Sequence, residues 1–468
     1  MKTYNDFMNV NQSESDRLDF IKQAISEHKA SEPYRIAVIA EEYFRKQNVT
    51  IREYEKFLYT LEGRAVHDNF SPNFKIASGF FKRFITQENS FLLGNGVKWM
   101  NPETAGRLGT KKKSFDSQLQ ILGEKALIEG VAFGFFNKDH IEVFPLTEFV
   151  PLIDEEDGTL KAGIRFWQIA PNKPVRATLY ELDGYTEFIW NEKDRNGDQI
   201  ESNGRILNGK RSYQVIVRHT EIDGDEISPY SNYDGFPIVP LWANKERQSE
   251  LIGLREQIDC YDLIKSGFAN NVDDASIIYW LINGAMGMDD IDAVKFLDRV
   301  KTVHAVITDE ETATAEPRTI DYPFAARDAL LTRLERDLYK DAMAVDTDKI
   351  ASGGAVTATQ IMASYTDLNL KTDGFDYECV SFINEILELA GINDEPTFDR
   401  SYIVNTSEMI TNVIQASPYL GEEYTVKKLL SILGDIDQTE QILNSLDTES
   451  LSRMVNQIRT TESDMDNR

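Results

Sequence analysis

The 468 residues predict an α+β chain. Three observations carry that reading: crowded alternating strand patterns between residues 141 and 217, two long amphipathic helices further on, and a small strand-and-helix module held between those two helices. With 41% hydrophobic residues the chain can bury a sizeable core, and its length suits two to four structural regions.

Residues 1–74 read as helical and charged, with YRIAVIAEEYFRKQ and YEKFLYTLEG as helices and NVNQSESD as a flexible tail. Residues 75–250 read as mixed, helices first and antiparallel hairpins later, with Pro237 and Pro240 marking the way out of the sheet. Over residues 251–275, Leu254, Ile258, Tyr261, Ile264 and Phe268 recur at helical spacing. Residues 276–322 carry SIIYWLI as a buried strand, DDIDAVKFLDRV as a short helix with an acidic first turn, HAVIT as another strand, and an acidic loop containing Pro317. A second amphipathic helix over residues 323–344 starts just after Pro323 and repeats Leu331, Leu334 and Leu338.

The polar stretch VDTDKIASGGA, residues 345–355, follows that helix. Its Gly353 and Gly354 remove the Cβ constraint from two adjacent backbone positions, so a helix-loop-helix hinged there can move its tip. Thr357 reads as an N-cap, and Ile361, Tyr365 and Leu368 carry a further helix through residues 356–391, with Gly374 as the place for a kink. Residues 392–468 read as short amphipathic helices, LLSILG and EQILNSL among them.

Composition excludes several classes. Two cysteines, Cys260 and Cys379, each on an expected helix, do not make a disulfide framework and suit a reducing cytoplasm. No apolar run reaches membrane-spanning length, and the N-terminal residues lack the apolar core of a signal peptide, so neither membrane insertion nor secretion is expected. Fifty basic against seventy-eight acidic residues give a net charge of −28, the opposite of what a stationary grip on a phosphate backbone needs.

Catalytic motifs fail on inspection. Residues 204–211, GRILNGKR, match phosphate-loop spacing through Gly204, Gly209 and Lys210, but Arg211 stands where Ser or Thr must hold magnesium, and the stretch joins two strand patterns with no helix after it; a polar hairpin excursion is the better reading. DRNGDQIE has the outline of a calcium loop but places Gln199 where the turn glycine belongs. The five histidines, His28, His67, His140, His219 and His304, do not pair at zinc-ligand spacing, and the carboxylates Asp273–Asp274 and Asp289, Asp290 and Asp292 fall at helix ends, where capping and the helix dipole already account for them. No catalytic residue, metal or cofactor is expected.

The order of a long helix, a small α/β module, a returning long helix, a glycine-bearing loop and a further long helix resembles the portal proteins of long-tailed phages and related prophages of Gram-positive bacteria, the group typified by Bacillus siphoviruses. GLREQIDCYDLIKSGFANNVDDAS resembles that family's first stem helix running into the clip. NSFLLGNGVKW, LGEKALIEGVAFGFF, VFPLTEFVPLIDEEDGTLKAGIRFW and GFPIVPLWAN resemble successive signatures of its wing, so the likeness covers about residues 34–391.

The resemblance implies a ring-forming portal fold: residues 1–74 and 75–250 as the wing, 251–275 and 323–344 as the two stem helices, 276–322 as the clip, 345–355 as the tunnel loop, 356–391 as the long kinked helix and 392–468 as the crown and tail. It implies a ring of about twelve subunits at one capsid vertex, assembled in the host cytoplasm and carried in the virion. Double-stranded DNA would enter and leave through it, with the terminase large subunit, the head-tail adaptor, and the major capsid and scaffolding proteins as partners and no membrane. On this basis Asp346, Asp348, Lys349, Ser352, Gly353 and Gly354 are expected to face DNA; Leu254, Ile258, Tyr261, Leu331, Leu334 and Leu338 to pack between subunits; and Asp309, Glu310, Glu311 and Glu316 to form a docking face on the clip. A nuclease or other DNA-processing enzyme of the packaging machinery is the alternative from another class, and a generic scaffold with no nucleic acid in its channel a third.

Overall fold

The computed structural model describes residues 2–10, 13–59, 63–68, 71–171, 173–191, 204–220, 224–230, 233–275, 279–283, 314–318, 323–348, 358–402 and 406–433. The mixed α+β class holds. Helices α1 (Tyr4–Met8), α2 (Glu14–Ala30), α3 (Glu32–Phe44) and α4 (Val49–Glu53) open the chain, followed by strands β1 (Phe57–Tyr59) and β2 (Ala65–His67). Then come α5 (Phe80–Leu93), β3 (Val97–Trp99), α6 (Thr104–Leu108) and α7 (Phe115–Glu129).

Helix α7 is the hub of the main core. Ser114 caps its start by accepting the Ser117 amide, and Gly130, at φ +92°, ends it in the left-handed conformation that a Cβ would strain. The chain then runs directly into β4 (Val131–Phe136), which is buried along its whole length. Because side chains alternate along a strand, Ala132 and Phe136 face the main core, while Val131, Phe133 and Phe135 join a second cluster with Phe144 and Phe149. Gly134 makes room for a neighbour: a Cβ would sit 2.6 Å from the Phe382 ring and force that buried ring to move.

Strand β4 lies between β5 (Ile141–Pro145) and β13 (Ile238–Trp242) in a three-stranded antiparallel sheet. A five-stranded antiparallel meander follows, β6 (Phe149–Ile153), β7 (Leu160–Trp167), β8 (Val175–Glu181), β9 (Gly184–Trp190) and β10 (Arg205–Arg211), with α1 and α2 packed on it through Phe7, Phe20, Ile21 and Ile25. The GRILNGKR stretch is thus the edge strand β10, irregularly paired to β9, and not a hairpin excursion. β11 (Gln214–Thr220) and β12 (Gly224–Tyr230) form a separate hairpin.

Two expectations for the N-terminal part are corrected. NVNQSESD is not a tail throughout, since Ser13 caps α2 and residues 14–16 are helical. Helix α1 before it is docked by the buried Phe7 and by Thr3 Oγ1 donating to Glu155 at 2.7 Å. YEKFLYTLEG is not a helix, because FLY pairs with Ala65–His67 as strand, as its aromatic and β-favouring residues allow.

The long helices follow: α8 (Arg255–Ala275), α9 (Phe324–Asp341), α10 (Ala358–Ser364) and α11 (Thr366–Ala390). Between α8 and α9, β14 (Tyr279–Asn283) pairs antiparallel with β15 (Thr314–Arg318). The expected Pro317 loop is therefore partly strand; among the described residues β15 pairs only with β14, and proline is tolerated on such an edge strand. The helix and strand expected over residues 284–313 lie outside the described residues. β16 (Pro396–Phe398) pairs with β3, and α12 (Thr406–Leu420) and α13 (Glu422–Leu433) follow, the latter covering LLSIL; EQILNSL lies outside the described residues.

The long helix is interrupted at Tyr365 and not at Gly374. Gly374 continues the helix, with nothing within 4 Å of where its Cβ would lie. Glycine in a helix interior costs about 0.5–1 kcal/mol relative to alanine, so Gly374→Ala is expected to raise the urea midpoint by a corresponding amount. A lowered midpoint would show that position 374 needs glycine after all.

Candidate functional site at the root of the 345–355 loop

The loop follows the end of α9, where Ala342 belongs to the main core and Val345 to a separate small cluster. Ala342 and Val345 are buried there, Asp346 is half-buried and Asp348 exposed; Lys349, Ser352, Gly353 and Gly354 lie outside the described residues. What the structure shows is how both flanks of the loop are held, and one helix does most of it.

Arg83, Gln87 and Phe91 recur at four-residue steps on α5, so they share a face. Arg83 donates to the Tyr339 hydroxyl near the end of α9, and that partner holds its guanidinium above the ordinary range. Gln87 makes a paired contact with the backbone of Val345: its Nε2 donates to the Val345 carbonyl at 3.1 Å, and its Oε1 accepts the Val345 amide at 3.0 Å. Phe91 stacks on Tyr365 with centroids 5.5 Å apart and meets Tyr402 edge-on at 5.1 Å. Val345, Ile361, Tyr365 and Leu368 join Phe91 in a small apolar cluster, so both flanks of the loop share one patch of core.

Beside that face lies a buried charge cluster. Lys371 Nζ of α11 sits 2.7 Å from Glu88 of α5 and 2.8 Å from Glu250, in the turn before α8, and donates to the Ala342 carbonyl at 3.4 Å. One ammonium thus ties together α5, the approach to α8, the end of α9 and α11. Burial raises the Glu88 carboxyl to about 7, and Lys371 opposes that rise. Lys371 is itself held above the usual lysine range, because two carboxylates outweigh its desolvation.

Helix α8 is rooted by a polar stripe. Asp262 accepts the Ser78 amide at 2.8 Å, Ser266 Oγ the Ile76 amide at 3.0 Å and Asn270 Oδ1 the Phe74 amide at 2.7 Å. Side chains four residues apart thus receive alternate amides of an extended segment running antiparallel to the helix. Asp259 adds a contact by accepting from Thr50 Oγ1 at 2.7 Å.

This changes the packing expected of the two long helices. Leu254, Ile258 and Leu338 are 6%, 1% and 0% exposed within the chain's own main core, so they are not surface available to a neighbouring subunit. Tyr261, Leu331 and Leu334 are half-buried, and Leu330 is exposed. Asp309, Glu310 and Glu311 lie outside the described residues, and of Glu316 only its place in β15 is defined. Among the described residues no group of three or more His, Cys, Asp or Glu is placed to hold a metal, and no helix is long and apolar enough to cross a membrane.

Residues 27–450 match the family described as phage portal protein, SPP1 Gp6-like. A portal protein of Clostridium phage phiCD119 is 27% identical over 217 residues, which are 45% of this chain and 47% of that relative; the alignment spans about half of its length. The portal protein of Bacillus phage SPP1 is 24% identical over 424 residues, covering 84% of this chain and 79% of that protein. Among solved structures, the neck of a native GTA particle computed with C12 symmetry aligns with a TM-score of 0.42 at 10% identity, over 75% of this chain and 89% of that one. An HK97 family portal protein from Corynebacterium diphtheriae aligns at 0.34 and 10% identity, over 68% and 91%.

Proposed function

Because the chain belongs to the SPP1 Gp6-like family of phage portal proteins, we propose that its copies form a closed ring of about twelve subunits whose axial channel passes double-stranded DNA into and out of a capsid. The observation that supports this reading is the match over residues 27–450, together with the order of α8, the β14–β15 module, α9, the loop and the long helix within it. In this reading α8 and α9 are the stem, residues 276–322 the clip that docks the terminase motor and later the head-tail adaptor, and residues 345–355 the tunnel loop. Asp309, Glu310, Glu311 and Glu316 supply the electrostatic face of the clip.

Sliding needs weak contacts. Asp346 and Asp348 repel phosphates, and Lys349 offers one attraction per subunit of about 0–1 kcal/mol, the worth of an exposed ion pair, so each contact breaks thermally. The role is structural, with the motor supplying the energy.

Ring contacts fall to the apolar side chains that the single chain leaves half covered. Leu331→Asp with Leu334→Asp is therefore expected to prevent ring formation while leaving the folded subunit intact, as seen by light scattering and electron microscopy of the purified protein. Wild-type protein should show rings with a central hole; a compact wild-type monomer would overturn the proposal, and rings in the double variant would move the contact elsewhere.

A further inference from the structure

Portal function requires a loop that meets DNA at a set position, yet among the described residues of 345–355 only Val345, at its start, is buried, and the rest of the stretch is mostly polar. Aspartate, lysine and glycine in a polar stretch make no core. The position has to come from outside the loop.

We infer that Gln87, Glu88 and Phe91 of α5 are positioning residues for the tunnel loop, holding its two flanks against the wing without touching DNA. Three independent contacts support this. Gln87 satisfies both backbone polar groups of Val345, the buried first residue of the loop, and a side chain that closes on donor and acceptor of one residue fixes direction as well as place. Phe91 stacks on Tyr365, where the long helix is interrupted, so the break after the loop is seated on the same helix as the bonds before it. Glu88 grips Lys371 two turns further along α11, and the same ammonium reaches the Ala342 carbonyl on the side from which the loop departs.

Purely local packing would not need this convergence. Val345 and Tyr365 are joined through the loop, but each is tied to α5, more than 250 residues earlier. The span between them is therefore bounded at both ends by one rigid element, and displacement at either end must work against α5. The inference rests on the portal reading and adds to it which residues aim the loop.

Gln87→Met tests it, since methionine keeps roughly the side-chain volume and removes both hydrogen bonds. Rings are expected to form as in wild type. Hydrogen exchange at the Val345 amide should accelerate about tenfold while α5 and the core of α11 stay protected, and DNA packaged in a terminase-driven assay should fall several-fold. A released Val345 amide with undiminished packaging would overturn the inference, as would an amide that stays protected. Gln87→Asn, which keeps the amide but withdraws it by one methylene, is read the same way if the methionine variant fails to assemble. Wild-type rings that package no DNA with their motor would strike the portal reading itself, a result separate from any difference between variants.

Discussion

Lys371→Met is expected to destabilise the folded chain by about 3–5 kcal/mol, the cost of leaving a buried ion cluster without one partner. The geometry explains the size. Glu88 is 2% exposed and Glu250 15%, and the ammonium between them lies within 2.8 Å of both. Remove it and, above about pH 7, two carboxylates face each other across a site with little water, next to an Ala342 carbonyl that repels them as well. Methionine fills much of the volume, so a cavity is not the main loss. Changing Glu88 and Glu250 to Gln in the same chain should recover most of the stability, because a neutral cluster no longer needs the ammonium. Urea unfolding of the three proteins measures this, and a Lys371→Met midpoint within about 1 kcal/mol of wild type would mean that water reaches the cluster after all.

The contrast between what the sequence discloses and what it hides has a physical basis at this site. Leu331, Leu334 and Leu338 announce α9 because helical periodicity is local, and the alternating pattern of Gly184–Trp190 announces β9 for the same reason. The order of elements carried the family resemblance, and the family match over residues 27–450 bears it out. Gln87 and Glu88 gave no signal, because their partners are Val345 and Lys371 and no short-range pattern links residues so far apart.

The stripe Asp262, Ser266 and Asn270 was visible as polar spacing on a helix, but such a stripe ordinarily means a solvated face. Only the folded chain shows the extended Phe74–Ser78 backbone filling it. Gly374 misled for a related reason: glycine is a helix breaker by local propensity, yet this helix is held on both sides of it by Lys371 and the buried Phe375. The interruption falls instead where Phe91 seats Tyr365, a tertiary contact.

Stability of the folded subunit is expected to decrease as pH rises from about 4.5 to about 8, against the common pattern in which ionised carboxylates stabilise the native state. Two buried carboxyls with large upward shifts set this window, opposed in its acidic part by His28, which burial lowers. Glu88 is raised to about 7 by burial, and Glu129 to about 8, again by burial first and then by the neighbouring Glu41, with the Thr147 amide and hydroxyl bonded to its oxygens. In the unfolded chain both lose their protons near 4.5. Between those limits the native state therefore binds more protons than the unfolded state, and linkage makes stability fall with increasing pH until the native groups have also ionised, after which it levels off.

One unit of separation corresponds to about 1.4 kcal/mol, so Glu88 alone accounts for a decline on the order of 3 kcal/mol across the window. Glu88→Gln removes the titration while keeping the shape, and should flatten the part of the profile below about pH 7. Glu129→Gln should flatten the part that extends to about pH 8. Urea midpoints taken at half-unit steps from pH 4.5 to 8.5 decide it. A wild-type profile that rises through this range, or a Glu88→Gln profile with the wild-type slope, would mean that Lys371 keeps Glu88 ionised at all these pH values and that the cluster binds no proton.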